Sequence, residues 1–376
     1  MKTKVSLVRC SNYDPGQVKG ALEKALSLID GLPGIIKRGS RVLIKPNMLS
    51  ARRPEEGVTT HPAVVQGIVE LVQEMGAEAI IGDSPGGTNR DLSCFWETCG
   101  YKEVSETTGA PLVSLERELL EVEVPDGVIY KTLHFSRTAL EVDVLITVPK
   151  LKTHNLTLLT GAVKNLLGLI PGLGKIGFHR RCPGPDDLGE AVVDILSVVK
   201  PRLAVMDAIV GMEGNGPVSD KLRDVGVILA STDAVALDTV AQAIIGLDPF
   251  DVPTTRAAGK RGLGIADLRK IELKGESLKN VVVKDFILPS NAVLRSIPKP
   301  ILNLLARKIM IRPRARADKC TGCRCCVKSC PVDAVSIKKN LACIDYKKCI
   351  LCLCCYELCP EKAMDLKKSL LGRLWS

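Results

Sequence analysis

Short apolar runs alternate with segments of helical period through residues 1–290. Residues 4–9 and 41–44 are expected strands, with a helix over 18–29 between them. A helix is expected over 64–75, leading into a strand at 78–81. Residues 142–148, 202–206 and 225–229 are apolar enough to be buried strands, and the last is followed by a helical pattern over 234–245. Strands that alternate with helices in this way predict an α/β fold, a mostly parallel or mixed sheet flanked by helices.

Sheets of that kind gather functional groups at the carboxyl ends of their strands. The apolar runs here stop at polar clusters. The run through Leu43 and Ile44 ends in Lys45-Pro46-Asn47, and that through Ile80 and Ile81 in Gly82-Asp83-Ser84-Pro85-Gly86-Gly87. The run from Val142 meets Pro149-Lys150-Leu151-Lys152-Thr153-His154. That at Ala204 to Met206 ends in Asp207, with Glu213-Gly214-Asn215-Gly216-Pro217 beyond. A lysine is ordinarily a solvated surface residue, but side chains at neighbouring strand ends converge in space. Lys45, Lys150, Lys152 and Lys164 are therefore candidate ligands for an anionic substrate, with Asn47 and Asn165 to orient it and Glu213 beside them. Asp83, Asp207 and Glu213 suit lysine partners, proton donors or ligands of a hard cation.

Of the four histidines, His154 closes the lysine-rich segment, which is expected to be a loop, and, with Asp83, is the candidate for proton transfer. His61 precedes a helix and marks its cap region; His134 lies in a strand-like stretch, and His179 in an expected loop. The segment Gly172-Leu-Gly174-Lys-Ile-Gly177 matches the dinucleotide fingerprint by letter, yet it follows a helix-like run instead of a strand, so a flexible loop is expected there. No phosphate-binding loop signature is present, and nothing in the sequence argues for a flavin or another small cofactor.

The carboxy-terminal pattern is different. Cys320-x2-Cys323-x2-Cys326-x3-Cys330-Pro331 recurs 29 residues later as Cys349-x2-Cys352-x2-Cys355-x3-Cys359-Pro360. This is the ligand spacing of a bacterial-type ferredoxin with two [4Fe-4S] clusters, in which the fourth cysteine of each run serves the other cluster. One cluster is thus assigned to Cys320, Cys323, Cys326 and Cys359, the other to Cys349, Cys352, Cys355 and Cys330. Four-cysteine zinc sites use paired CxxC motifs, not a CxxCxxC triplet, and disulfide frameworks belong to small secreted domains. Cys325 recurs as Cys354; each reads as a buried thiol or an alternative ligand, whereas Cys343 has no repeat partner.

Charge divides at the same place. Residues 301–376 hold 16 Lys and Arg against 6 Asp and Glu, which is the whole net charge of +10. Aromatic content is only 3%, without a base-stacking motif, so nucleic acid is not the expected partner. Basic residues near anionic clusters offset their charge, and the same surface suits an acidic electron-donor or acceptor protein. No apolar stretch reaches membrane-spanning length, and oxygen-sensitive clusters point to a reducing cytoplasm. The expected layout is an α/β domain over 1–290, a basic amphipathic linker over 291–316 and a two-cluster [4Fe-4S] ferredoxin domain over 317–368. Part of that linker, residues 300–316, also has the character of a helix lying on an anionic membrane surface.

The strand-end motifs, together with Gly161-Ala-Val-Lys164-Asn165-Leu-Leu-Gly168, resemble those of the domain-of-unknown-function family 362, across nearly all of residues 40–240. Several members of that family are similarly fused to a ferredoxin module. The resemblance supports the layout and implies no particular reaction. Two functional readings follow. One is an oxidoreductase that delivers electrons from two [4Fe-4S] clusters to an anionic substrate in the large domain. The other is a non-catalytic electron carrier or assembly subunit docked to a partner redox complex.

Overall fold

The computed structural model describes residues 2–86, 91–182, 184–289 and 312–367. Gly87 and most of the expected linker, residues 291–311, lie outside the described residues. The fold is α/β. Twelve strands precede residue 290: β1 (Thr3–Arg9), β2 (Arg41–Pro46), β3 (Glu78–Asp83), β4 (Leu112–Ser114), β5 (Leu119–Glu123), β6 (Thr132–Ser136), β7 (Val144–Val148), β8 (Lys150–His154), β9 (Leu158–Thr160), β10 (Leu203–Met212), β11 (Leu222–Ser231) and β12 (Ile271–Gly275). Ten of them form one mixed sheet in the order β12-β1-β11-β10-β7-β2-β3-β4, with β8 added to β10 and β9 to β8. β2 is parallel to both β3 and β7, while β11 runs antiparallel to both β1 and β10.

Alternation along the central strands builds a core on each face. Leu43, Ile80 and Leu145 point into one apolar layer. Val42, Ile44, Ala79, Ile81, Val144 and Ile146 point into the other. The first layer is covered by the helices Pro185–Val199 and Ala234–Ile244, the second by Pro15–Ser27 and Pro62–Glu74. The helix Pro15–Ser27 places its buried residues Val18, Ala21, Leu22 and Ala25 in a stripe, whereas Ala234–Ile244 is buried on nearly every side.

Three local expectations are corrected. The lysine-rich segment after Pro149 is not a loop but strand β8, in which Lys150, Lys152 and His154 alternate with Leu151 and Thr153. Asp207 does not end its strand, because β10 continues to Met212; four donors surround its carboxylate, and they make a charge tolerable in a strand interior. The glycine-rich segment is a helix, Gly172–Arg181, capped by Pro171, not a flexible loop.

The described tail repeats itself in structure as in sequence. β13 (Arg312–Ala315), the helix Cys325–Lys328 and β14 (Val335–Lys338) recur 29 residues later as β15 (Leu341–Ile344), the helix Cys354–Glu357 and β16 (Met364–Lys367). The pairings are β13 with β16 and β14 with β15, so the two halves exchange strands. β13 falls inside the expected linker, and the tail unit therefore begins no later than Arg312.

Candidate functional site

The carboxyl ends of β2 and β3 meet in a buried ion pair, and β8 adds a further buried cation. Nζ of Lys45 lies 2.8 Å from Oδ1 of Asp83, with both side chains almost fully buried. Oδ2 of Asp83 accepts from the Met48 N–H, and Oδ1 from the Ser84 N–H. This carboxylate ties the loops after β2 and β3 together. Lys45 also donates to the Pro46 carbonyl and to Oδ1 of Asn165, and Asn165 in turn donates to the Lys45 carbonyl and to the Thr147 hydroxyl. Lys152 donates to Oδ1 of Asn47 at 2.8 Å and to the Val58 carbonyl at 2.6 Å.

Two glycines allow this convergence. A Cβ on Gly168 would fall 2.3 Å from Oδ1 of Asp83 and 2.4 Å from Nζ of Lys45, so only glycine lets that turn rest on the ion pair. A Cβ on Gly161 would fall 2.2 Å from a carboxylate oxygen of Asp238, the group that accepts the N–H donors of Ala162 and Val163. Asp238 thereby anchors the start of the short helix Ala162–Asn165, which carries Lys164.

These groups enclose a cavity of about 90 Å³. Lys45, Asn47, Asp83, Lys152, Lys164 and Asn165, all candidates from the sequence, line it. So does Lys175, whose ammonium is held by the hydroxyl of Ser84 at 3.0 Å, the Pro85 carbonyl at 3.1 Å and the Ser84 carbonyl. Lys45 has a carboxylate partner, but Lys152, Lys164 and Lys175 have none within ion-pair distance among the described residues. Burial pushes all three ammonium groups below their ordinary range, Lys152 and Lys175 to about 7, and the positive charge of Lys164 adds to the effect on Lys152. A wall of amides, hydroxyls and cations short of counter-charge favours an anion.

The remaining sequence candidates lie elsewhere. Lys150 does not reach this cavity. Its Nζ pairs with Asp207 at 2.9 Å and donates to the Tyr13 hydroxyl at 2.6 Å, while the Tyr13 ring stacks on His61 with centroids 3.7 Å apart. His61 caps the helix Pro62–Glu74 by accepting from the Ala63 N–H, and burial pushes it down to about 4. Glu213 pairs with Arg223 at 3.2 Å and accepts from the Ile287 N–H. His154 is buried behind the cavity, its Nδ1 accepting from the N–H groups of Leu156 and Thr157.

The tail closes the cavity. Ser329, Cys354, Glu357 and Leu358 complete its lining. Oε1 of Glu357 lies 3.5 Å from Nε2 of His154. Burial pushes the Glu357 carboxyl up to about 7, against the downward pull of Lys164 and Lys152. Around this seam Arg52 donates to the carbonyls of Cys359 and Pro360, Lys362 pairs with Glu56, and Tyr356 donates to the Val218 carbonyl.

No disulfide joins any of the fifteen cysteines. Cys320, Cys323, Cys325, Cys326 and Cys359 line one small space in the tail, and Cys355 feels the charges of Cys352, Cys349, Cys326 and Cys330. Among the described residues no three His, Cys, Asp or Glu side chains close on one point as a lone metal ion requires. A four-iron cube instead holds its thiolates at separate corners, and an all-sulfur donor set suits it. The loops are shaped alike: Gly322 and Leu351, Arg324 and Leu353, and Asp333 and Lys362 are pairs 29 residues apart that share a left-handed backbone. For the leucines that conformation costs on the order of 1–3 kcal/mol each, a strain kept where a loop must curl around a centre. The Ala334 N–H donates to Sγ of Cys330 and the Ala363 N–H to Sγ of Cys359, contacts that would tune a bound cluster. The donor chemistry and loop geometry therefore fit the two expected clusters.

The domain of unknown function DUF362 matches residues 42–243, more than half of the chain. The chain belongs to the DUF362 family. The thylakoid-associated protein sll1697 of Synechocystis is 36% identical over 266 residues, covering 70% of this chain and 81% of that protein. The apoprotein structure of lactate racemase from Thermoanaerobacterium thermosaccharolyticum aligns with a TM-score of 0.39 at 12% identity, over 62% of this chain and 55% of that one. At that level it bears on neither fold nor activity. Within the DUF362 match lie the cavity's five lysine and aspartate residues from Lys45 to Lys175, whereas Ser329, Cys354 and Glu357 come from beyond it. No helix among the described residues is long and apolar enough to cross a membrane.

Three residues of this arrangement were not found from the sequence. Glu357 had a signal: it stands where the first repeat has Lys328, a charge reversal in otherwise matched halves, and Lys328 is exposed where Glu357 is buried. Lys175 was hidden inside a motif read as a loop, and Tyr13 carries no local pattern at all.

Proposed function

We propose that this DUF362 protein is an iron–sulfur oxidoreductase in which two [4Fe-4S] clusters in the tail pass electrons to a small anion held by Lys152, Lys164 and Lys175. One observation carries this reading. The cavity with unbalanced cations is closed by Cys354 and Ser329, the immediate neighbours of the expected ligands Cys355 and Cys330. An anion held there would lie directly beside the second cluster. Bound clusters supply single electrons; the chain's own residues bind and orient the anion, and the seam around Tyr356 and Leu358 excludes water.

Proton delivery falls to Glu357, which lines the cavity, and to His154, which faces it from behind. Asp83, sequestered by Lys45 and two backbone donors, serves as a structural counter-charge in this reading. We place the protein in a reducing compartment, the cytoplasm, where unpaired cysteines and clusters persist; thylakoid association, which the name of the Synechocystis relative states of that protein, is compatible with that placement.

The test is anaerobic purification followed by iron and sulfide determination, mass spectrometry of co-purifying small anions, and reduction by a low-potential donor. Under this reading the clusters reduce, and a recovered anion reoxidises them in the wild type but not in Lys152→Met. Reducible clusters with no bound anion and no reoxidation would favour an electron carrier or assembly subunit instead.

A further inference from the structure

The helix Gly172–Arg181 separates two spaces. On one side Gly172 and Lys175 line the lysine-rich cavity. On the other, Gly172, Gly174, Gly177 and Phe178 line a larger groove of about 760 Å³, within the size range of small-molecule sites. Tyr130, Leu133 and Ile170 also line it, with Tyr130 stacked on Phe178 at 4.4 Å and the Arg181 guanidinium 4.9 Å from the Tyr130 ring. Gly172 lines both spaces.

The glycines on the groove side have unequal reasons to be there. A Cβ on Gly174 would meet Ile170 at 2.9 Å, so packing requires a small residue. A Cβ on Gly177 would meet nothing within 4 Å, and its backbone is ordinary helix. Glycine weakens a helix interior, so Gly177 carries a cost that no protein contact repays. An added side chain there would enter the groove. Glu116 and Arg117 both line the groove and their formal charges cancel, whereas Lys175 and Lys164 favour an anionic group across the helix.

We propose that the groove receives the flat aromatic or apolar body of an organic anion whose charged group sits in the lysine-rich cavity, with Gly177 as the side-chain-free floor. This rests on the anion site proposed above and specifies its ligand class, an aromatic carboxylate or a comparable planar anion in preference to a bare inorganic ion.

Calorimetric titration of the anaerobically prepared full chain tests it, with 1-naphthoate, acetate and the neutral 1-naphthalenemethanol as probes. The expected result is that 1-naphthoate binds about tenfold or more tightly than either of the others, since it engages both spaces. Gly177→Leu should weaken 1-naphthoate about tenfold and leave acetate unchanged. Gly177→Ala, which adds a single methyl group, should bind close to wild type and guards against a folding defect. Lys175→Gln should weaken acetate and 1-naphthoate alike. If acetate binds but 1-naphthoate gains nothing, or if Gly177→Leu leaves 1-naphthoate unaffected, the groove assignment is overturned while the anion site stands. If neither anion binds, the anion site itself falls and the groove assignment with it.

Discussion

Oε1 of Glu357 lies 3.5 Å from Nε2 of His154, across the seam between the cysteine repeat and the sheet. Nδ1 of that histidine accepts two backbone N–H donors, which leaves the proton of the neutral ring on Nε2, the nitrogen that faces the carboxylate. Glu357 also faces Lys152 and Lys164 and is the counter-charge that the tail brings to the cavity. Glu357→Gln keeps the shape and removes the charge. Inorganic sulfate should then bind several-fold more tightly by calorimetry, because a negative group near the cations is gone. Unchanged or weaker binding would contradict the assignment of Glu357 as the cavity's counter-charge.

Lys150 and Lys152 are neighbours on β8 with different duties, and single substitutions should separate them. Lys150→Met leaves the buried Asp207 without its cation, a loss of about 3–5 kcal/mol in urea unfolding. Sulfate affinity should stay near wild type in that variant, since Lys150 does not line the cavity. Lys152→Met removes a buried cation that has only neutral oxygen partners. It should bind sulfate about tenfold more weakly with little loss of stability. Matching effects of the two substitutions on sulfate binding would refute this division.

Stability and anion affinity should move in opposite directions with pH. Lys152 and Lys175 are pushed by burial from their ordinary 10.5 down to about 7. Between those values the unfolded chain binds more protons than the folded one, so the contribution of these lysines to stability rises with pH. Below about 7 both states carry the charge, and the burial penalty is present in full. Anion binding needs the charged ammonium and therefore weakens as pH rises through 7. Sulfate titrations across that range should show falling affinity with proton uptake near neutrality, while urea midpoints rise. Proton release on binding would refute the assignment.

How much of this was legible in the chain depended on distance along it. The apolar runs that became β2, β3 and β7, and the Lys45 and Asp83 that end two of them, were readable because a strand's period and a parallel sheet's geometry are local rules. The cysteine repeat was readable because its spacing is fixed by the loop that carries it. The closure of the cavity by Glu357 was not, because it depends on how two parts of the chain far apart in sequence pack together. The helix at Gly172 was missed for a different reason. Three glycines lower helix propensity locally, but Phe178 and the half-buried Lys175 are held by contacts with β3's loop and Tyr130 that no window of sequence contains.

The supernumerary cysteines discriminate between the two roles that their position allows. Cys354 lines the cavity next to the expected ligand Cys355, and Cys325 is its repeat mate beside Cys326. If Cys354 is a thiol packed at the seam, Cys354→Ser should retain both clusters by iron and sulfide content and give the wild-type electron paramagnetic resonance spectrum on reduction. Its effect should be confined to the cavity, seen as altered sulfate affinity. Cys355→Ser should cost one cluster, about half of the bound iron, because a weak hydroxyl donor replaces a thiolate. It should also weaken the seam, since a tail missing its cluster loses the loop curvature at Leu351 and Leu353 that sets the helix Cys354–Glu357 against the sheet. Cys325→Ser, on the side away from the cavity, should change neither cluster content nor sulfate binding. Loss of a cluster in Cys354→Ser would instead make that residue a ligand, and the wall of the anion cavity would then carry iron directly.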